Sequence, residues 1–145
     1  MSPRSLDPEV VLSRLDLMSQ LLDDLAGIGD VPAERLLGDR LLRHAVERIL
    51  TQLVELAVAV NGHVAVTVMD QSPRDYRSSF GLAASAGLID LTLADQLSPS
   101  VGMRNVLAHE YVDVDLDQVA DAVPLARQHY RAYVRQAAQW LRERD

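Results

Sequence analysis

The sequence has no cysteine and no lysine, few aromatic residues and no long uninterrupted apolar run. Without cysteine there can be no disulfide, thiolate nucleophile or cysteine metal site. Because aromatic residues make up only 4% of the chain, leucine, valine, alanine and isoleucine must form the core, which favours packed helices over a β-sandwich. No apolar stretch reaches the roughly 18 residues of a membrane helix, and the acids near the N-terminus do not fit a secretory signal. We therefore expect a cytoplasmic protein with no membrane partner.

The formal net charge is −7, and all 14 basic residues are arginine. This balance argues against a general nucleic-acid binder, which presents a basic face. Any nucleic acid would have to meet a local arginine patch on an acidic body. Arginine suits that task because its guanidinium can bind a phosphate through two parallel hydrogen bonds.

Apolar residues recur at helical spacing through most of the chain and predict an all-α, antiparallel bundle of four to five helices. With 145 residues the chain suits a single domain, residues 1–145, with one core. The predicted helices begin after Ser5 or Asp7, cover about residues 32–61, 78–86 and 91–110, and resume after the acidic run 112–121.

Two of these helices carry a specific expectation. The second is predicted from a stripe of seven apolar residues: Leu37, Leu41, Ala45, Ile49, Leu53, Leu56 and Val60. The β-branched stretch after it, residues 63–70, allows a short strand, but no partner strand is apparent, so we interpret it as a helix end running into a loop. The fourth helix should be bent or broken near Pro99, because proline lacks a backbone donor and clashes with the preceding turn.

The octapeptide RNVLAHEY, residues 104–111, breaks an apolar stretch with polar side chains. Asn105 and His109 are four residues apart, so a hydrogen bond between them could fix the imidazole tautomer. Arg104 and His109 lie about 140° apart around an ideal helix, with roughly 7.5 Å of rise between them. They can converge on one small group only if the helix ends near Ala108, or if two copies share the site about a two-fold axis.

Arginine, histidine and an amide are the groups that metal-free cleavage of RNA requires. A neutral histidine can take the proton of the ribose 2′-OH, and arginine can neutralise charge developing on the phosphoryl oxygens. By spacing alone, the commoner interpretation is a polar helix end whose arginine and histidine interact with carboxylates. Both interpretations remain open on the residues alone.

RNVLAHEY resembles the signature of the HEPN superfamily of helical ribonucleases, in which four to six residues separate an arginine from a histidine and a polar residue follows the arginine. The fuller pattern R-x-x-x-x-H-x-Y is similar to that of HepT toxins, partners of MntA-type minimal nucleotidyltransferase antitoxins in type VII toxin–antitoxin pairs. Three longer stretches resemble the family in the same order: residues 40–64 its long second helix, 73–90 its turn, short helix and glycine stop, and 101–115 its motif region.

The resemblance implies roles for four residues. Arg104 and His109 match the catalytic pair, and Asn105 matches the polar residue beside the arginine. Tyr111 matches the tyrosine whose hydroxyl accepts AMP groups from the antitoxin. Added AMP would bring negative charge and bulk beside an RNA-binding cleft, as phosphorylation would. The implied protein is a homodimeric, metal-independent endoribonuclease that needs no cofactor.

Two residues of the second helix, Glu47 and Arg48, are candidates to line the same cleft. The alternative is a solvated helix face on which Arg43 pairs with Glu47 at i,i+4 spacing. No metal site is predicted, because the acids at 113, 115 and 117 lack the glycine and distal glutamate of a calcium loop. A competing function is a non-catalytic helical subunit that binds or regulates a nucleotidyltransferase; the acidic net charge favours it, and the intact Arg, His and Tyr favour the ribonuclease.

Overall fold

Six α-helices make up the described part of the chain, residues 5–109 and 114–144 of a computed structural model. No strand occurs in these two ranges, which confirms the all-α fold class. There is one helix more than the sequence predicts. The helices are α1 (Pro8–Ile28), α2 (Ala33–Gly38), α3 (Arg40–Met69), α4 (Tyr76–Ser85), α5 (Leu91–His109) and α6 (Leu116–Glu143).

Helix α1 begins and ends where the local sequence predicts. Asp7 caps it by accepting a hydrogen bond from the backbone N–H of Glu9, and Pro8 occupies the first turn, where its missing N–H costs nothing. Gly29, at a φ of +79°, ends it, because a residue without Cβ adopts that conformation freely. The backbone N–H of Asp7 donates to His63 Nε2 near the far end of α3, so α1 and α3 run antiparallel.

The extra helix arises from a break at Asp39, where the sequence predicts one continuous helix. Asp39 has an extended backbone, and its carboxylate accepts a hydrogen bond from the N–H of Leu42, capping α3. The predicted apolar stripe is therefore wrong at its start: Leu37 and Leu41 are 76% and 77% exposed. The inward face of α3 is instead formed by Val46, Ile49, Leu50, Leu53, Val54, Ala57, Val60, Val64 and Ala65.

Helix α3 continues to Met69, so residues 63–69 are helical and the competing strand is absent. The hydroxyl of Thr67 donates to the carbonyl oxygen of His63, and Asp70 ends the helix in the left-handed conformation at φ 55°. By length and apolar composition α3 could cross a membrane, and half of its most apolar stretch is buried in the bundle. Core helices of globular proteins have the same character, so this finding gives weak support for a span.

Helix α4 is short and strongly capped. The carboxylate of Asp75 accepts from the N–H of Ser78, and the Ser78 hydroxyl oxygen accepts from the N–H of Asp75, a reciprocal capping box. Gly87 at φ +86° follows its end, as predicted. Helix α5 runs through Pro99 without interruption, so the predicted break is absent. The carbonyl of exposed Asp95, which loses its donor at Pro99, can be hydrated.

Hydrogen bonds between two pairs of residues align α5 against α6. Gln136 bonds to Asp90 at the start of α5, and Tyr130 bonds to Ser100 further along it at 2.7 Å. Residue numbers therefore rise along α5 while they fall along α6, which makes the two helices antiparallel. Asp115 begins α6 by accepting hydrogen bonds from the N–H groups of Asp117 and Gln118.

A buried polar chain crosses the centre of the bundle. The Tyr133 hydroxyl of α6 donates to Asn61 Oδ1 of α3 at 2.6 Å, and Asn61 Nδ2 donates to the Ser79 hydroxyl oxygen of α4 at 3.2 Å. The Ser79 hydroxyl donates in turn to the carbonyl oxygen of Tyr76 at 2.7 Å. This central chain ties three helices together and fixes the backbone at the start of α4.

Candidate active site

Arg104 lies on α5 with its guanidinium held between α3 and α4. Its Nη2 donates to Glu55 Oε1 of α3 at 3.2 Å, and its central carbon lies 4.8 Å from the centre of the Tyr76 ring of α4. Only 20% of the side chain is exposed. An arginine over an aromatic face is attracted by the ring's negative π surface, so both neighbours hold the charged group in one orientation.

The hydrogen-bonding capacity of Arg104 is incompletely used. Its Nε is buried and has no hydrogen-bond partner within residues 5–109 and 114–144. Its Nη1 donates to Asn105 Oδ1 at 3.2 Å. A guanidinium offers five N–H donors, so several remain available to a ligand. Buried donors without partners are rare in proteins and mark places where a water or ligand group belongs.

Asn105 turns its carbonyl oxygen toward Arg104 and not toward His109. Within the described chain no hydrogen bond joins Asn105 to His109, which the four-residue spacing had allowed. Asn105 is exposed, and its amide nitrogen makes no hydrogen bond within the described residues. It can therefore donate to a group that binds beside Arg104.

An open cavity of about 380 Å³ lies beside the guanidinium. Three of its lining residues come from the start of α4 and its cap, and three from α5: Asp75, Tyr76, Arg77, Val101, Arg104 and Asn105. Hydrogen bonds from the backbone and side chain of Ser78, and then the nearby Arg74 and Arg77, lower the pKa of Asp75 below its ordinary 3.8. Its carboxylate is thus charged at neutral pH and fully exposed to water.

His109 is exposed and is the last described residue of α5. It does not line this cavity. Both Arg104 and His109 belong to one helix, so the angle of about 140° between them applies. Within one chain, the side chains of Arg104 and His109 therefore point to different sides of α5. Tyr111 lies outside the described residues.

The two candidate cleft residues of α3 lie elsewhere. Glu47 Oε1 accepts from Arg43 Nε at 2.9 Å, which is the i,i+4 pairing that the sequence left open as an alternative, although the pair is partly buried. Arg48 is exposed. Neither residue lines the cavity; the acidic side chain from α3 that reaches Arg104 is Glu55.

The profile of the Ribonuclease HepT-like family matches residues 18–137. That range covers most of the chain and includes the whole of the cavity. The chain belongs to the HepT-like family.

Individual relatives agree with this assignment. The tRNA nuclease HepT of Aphanizomenon flos-aquae is 29% identical to this HepT-like chain over 137 residues, which cover 94% of the chain and 93% of the relative. The mRNA nuclease HepT of Shewanella oneidensis is 32% identical over 85 residues, which cover 59% of the chain and 64% of the relative.

Solved structures show the same fold. A tri-AMPylated HEPN toxin of Shewanella oneidensis in complex with an MNT antitoxin matches with a TM-score of 0.80 and 22% identity, over 90% of this chain and 98% of that one. The cytosolic protein YutE of Bacillus subtilis matches with a TM-score of 0.81 and 13% identity, over 96% and 93%. At these identities the likeness concerns the helical fold alone.

Sequence reasoning missed three residues around Arg104 in this HepT-like chain. Glu55 carried a usable signal, because it is the only Asp, Glu or Arg between positions 49 and 69 of a mainly apolar helix. Buried or half-buried acids usually have a partner. Tyr76 and Arg77 carried none, since a turn rich in polar residues commonly contains such side chains. Only the packing of α4 against α5 brings them to the motif.

Proposed function

We propose that this protein is a metal-independent endoribonuclease and the toxin of a type VII toxin–antitoxin pair. Its catalytic residues are Arg104, Asn105 and His109, and its neutralising partner is an MntA-type nucleotidyltransferase that transfers AMP to Tyr111. The observation that carries the proposal is the half-buried guanidinium of Arg104, oriented by Glu55 and Tyr76 beside an open cavity with a donor still unpaired. Membership in a ribonuclease family supports it, and an RNA substrate places the protein in the cytoplasm.

The cleavage step uses only side chains of the motif. His109 takes the proton of a ribose 2′-OH, and that oxygen attacks the neighbouring phosphorus as the bond to the 5′-oxygen breaks. The protonated His109 then gives that proton to the departing 5′-oxygen, so the products carry a 2′,3′-cyclic phosphate and a 5′-OH. Arg104 donates to the phosphoryl oxygens, where negative charge grows in the transition state, and Asn105 orients the phosphate through its exposed amide.

The proposed site combines two chains. Because Arg104 and His109 point to different sides of one α5, a homodimer with its two-fold axis at the motif would set Arg104 of one protomer beside His109 of its partner. Mixing R104A chains with H109A chains tests this. Mixed dimers would contain one intact composite site and recover cleavage, whereas a site within one chain would leave the mixture inactive.

The activity itself is tested with purified protein, total bacterial RNA and EDTA. We expect cleavage that leaves 2′,3′-cyclic phosphate and 5′-OH ends, reduced by about 10²–10⁴-fold in H109A, the contribution typical of a general acid or base. Because His109 is exposed, thermal unfolding of H109A should match the wild type. RNA left intact by folded wild-type protein, with H109A indistinguishable from it, would contradict the proposal.

Modification is tested by intact mass. Incubation with the partner nucleotidyltransferase and ATP should add one or more AMP masses, and Tyr111→Phe should prevent the addition. An unchanged mass in a pair whose antitoxin relieves growth arrest would overturn the role of Tyr111 while leaving the ribonuclease intact.

The second candidate function is a non-catalytic subunit that binds or regulates a nucleotidyltransferase. The net charge of −7 favours it, because RNA-binding surfaces are usually basic. Expression of the chain without its partner separates the two. A ribonuclease toxin arrests growth, and R104A abolishes the arrest; a binding subunit is harmless in both forms.

A further inference from the structure

We propose that Arg77 forms a phosphate subsite next to the catalytic centre, binding the RNA phosphodiester that neighbours the cleaved one. The inference rests on the proposed ribonuclease function and adds a substrate contact from a different helix. Arg77 lies outside the octapeptide, 27 positions before Arg104, and nothing in the local sequence of α4 marks it as a ligand residue.

Two arginines from two helices line one cavity. Arg77 of α4 and Arg104 of α5 both border the same open space of about 380 Å³. The Arg77 guanidinium lies over α5 at Gly102, where its Nη2 is 3.9 Å from the position that a Cβ would take. Gly102 precedes Asn105 by three residues, about one helical turn. Arg77 therefore lies about one turn of α5 away from Asn105.

The charges around the cavity distinguish the two arginines. Arg104 already has a carboxylate partner, because Glu55 Oε1 is 3.2 Å from its Nη2. Within the described ranges Arg77 makes no ion pair. Asp75, an acid that lies near it, has an oxygen engaged by the Ser78 N–H at 2.7 Å. Arg77 therefore keeps its donors for an anion, whereas Arg104 shares its charge with Glu55.

The backbone under Arg77 is rigid on two sides. The capping box of Asp75 and Ser78 surrounds it, and the central chain from Tyr133 through Asn61 and Ser79 ends on the carbonyl of the preceding residue, Tyr76. A binding group on a fixed backbone loses less conformational freedom when it binds than one on a free loop. The side chain alone remains to be ordered by the ligand.

Arg74 offers a matched control in the same turn. It is also an exposed arginine, three residues before Arg77, but it does not line the cavity. Both substitutions remove one positive charge from the same end of α4, so a general loss of attraction for RNA would affect them equally.

The test measures binding of a short single-stranded RNA of mixed sequence to full-length H109A protein by fluorescence anisotropy across a salt series. Adding Arg77→Ala should raise Kd about tenfold, the scale of one charge-assisted hydrogen bond. It should also lower the slope of log K against log salt by about 0.7, the value for one phosphate contact on a single strand. Arg77→Lys should restore the slope, and Arg74→Ala should leave Kd and slope within the error of the H109A parent.

Cleavage kinetics give a second readout, measured in protein that retains His109. Arg77→Ala should raise KM with little change in kcat, because the contact is made equally in the bound substrate and in the transition state. If wild-type protein cleaves RNA while Arg77→Ala and Arg74→Ala behave alike, the subsite is wrong and the ribonuclease stands. If wild-type protein neither binds nor cleaves RNA, the proposed function fails and the subsite fails with it.

Discussion

Within the described residues, the central chain and the cluster around Arg104 differ in how completely their hydrogen bonds are satisfied. In the central chain, the side-chain groups of Tyr133, Asn61 and Ser79 bond to one another between three helices. In the cluster around Arg104, the guanidinium contacts Glu55 and Tyr76, yet its Nε has no partner in the described chain and a cavity stands open beside it.

The difference separates a structural role from a binding role. A closed set of buried hydrogen bonds specifies how helices pack, and it gains nothing from a ligand. A half-buried charge with donors to spare is costly until something binds it. The two clusters meet at Tyr76, whose carbonyl ends the central chain and whose ring faces Arg104, so the first cluster positions a wall of the second.

Removing the Tyr133 hydroxyl, the first donor of the central chain, should have the largest effect on stability. Tyr133→Phe leaves Asn61 Oδ1 buried without its donor, and we expect the free energy of unfolding to fall by about 2 kcal/mol. Denaturant unfolding measures this. Tyr130→Phe is the control and should cost less, because Ser100 keeps its hydrogen bond to the Leu97 carbonyl. Equal losses in both variants would mean that the central chain has no special role.

The positioning role of Glu55 comes next. Glu55→Gln keeps the shape but removes the carboxylate charge opposite Arg104, and we expect kcat for RNA cleavage to fall about tenfold, or 1.4 kcal/mol, as the guanidinium loses its orientation. Since the pair is partly exposed, melting should hardly change. Glu55→Asp should recover part of the rate. An unaltered kcat in Glu55→Gln would show that Glu55 does not position Arg104 for cleavage.

Alkaline pH should weaken the packing around the two buried tyrosines, Tyr133 of the central chain and Tyr130 beside it. Burial raises the pKa of the Tyr133 and Tyr130 hydroxyls above the ordinary value of 10.0. The stability that follows from this is complete below pH 10 and is lost as the pH rises toward the folded-state pKa values. Between pH 10 and its folded-state pKa, each tyrosine should then lower the free energy of unfolding by about 1.4 kcal/mol per pH unit. Melting temperatures measured on both sides of pH 10 test this, and the loss should be smaller in Tyr133→Phe.

The smallest expected effect concerns the aromatic contact of Arg104. Tyr76→Phe keeps a ring under the guanidinium and should cleave RNA at nearly the wild-type rate. Tyr76→Leu keeps the apolar volume without the π surface and should lower the rate about threefold, in line with an exposed cation–π contact of about 0.5–1 kcal/mol. Rates that fall equally in both variants would point to the hydroxyl and not to the ring.

Local signals account for the elements that were predicted well. Asp7 and Pro8 mark the start of α1, and Gly87 marks the end of α4, because capping and left-handed backbone depend on the residues at hand. The break at Asp39 was missed because the apolar spacing continues across it. Asp39 can interrupt the pattern because the two apolar residues nearest to it, Leu37 and Leu41, are exposed and contribute nothing to the core. The spacing of apolar residues does not show which of them are buried.

Sequence by itself determined the helical class, the start of α1, the end of α4 and the resemblance to the family, because these depend on residues near one another in the chain. Tertiary structure decided which residues surround Arg104. Glu55 and Tyr76 are 49 and 28 positions away from it, and they reach it only because α3 and α4 pack against α5. A half-buried guanidinium needs partners from whichever helices exclude water around it, and one segment cannot specify those partners.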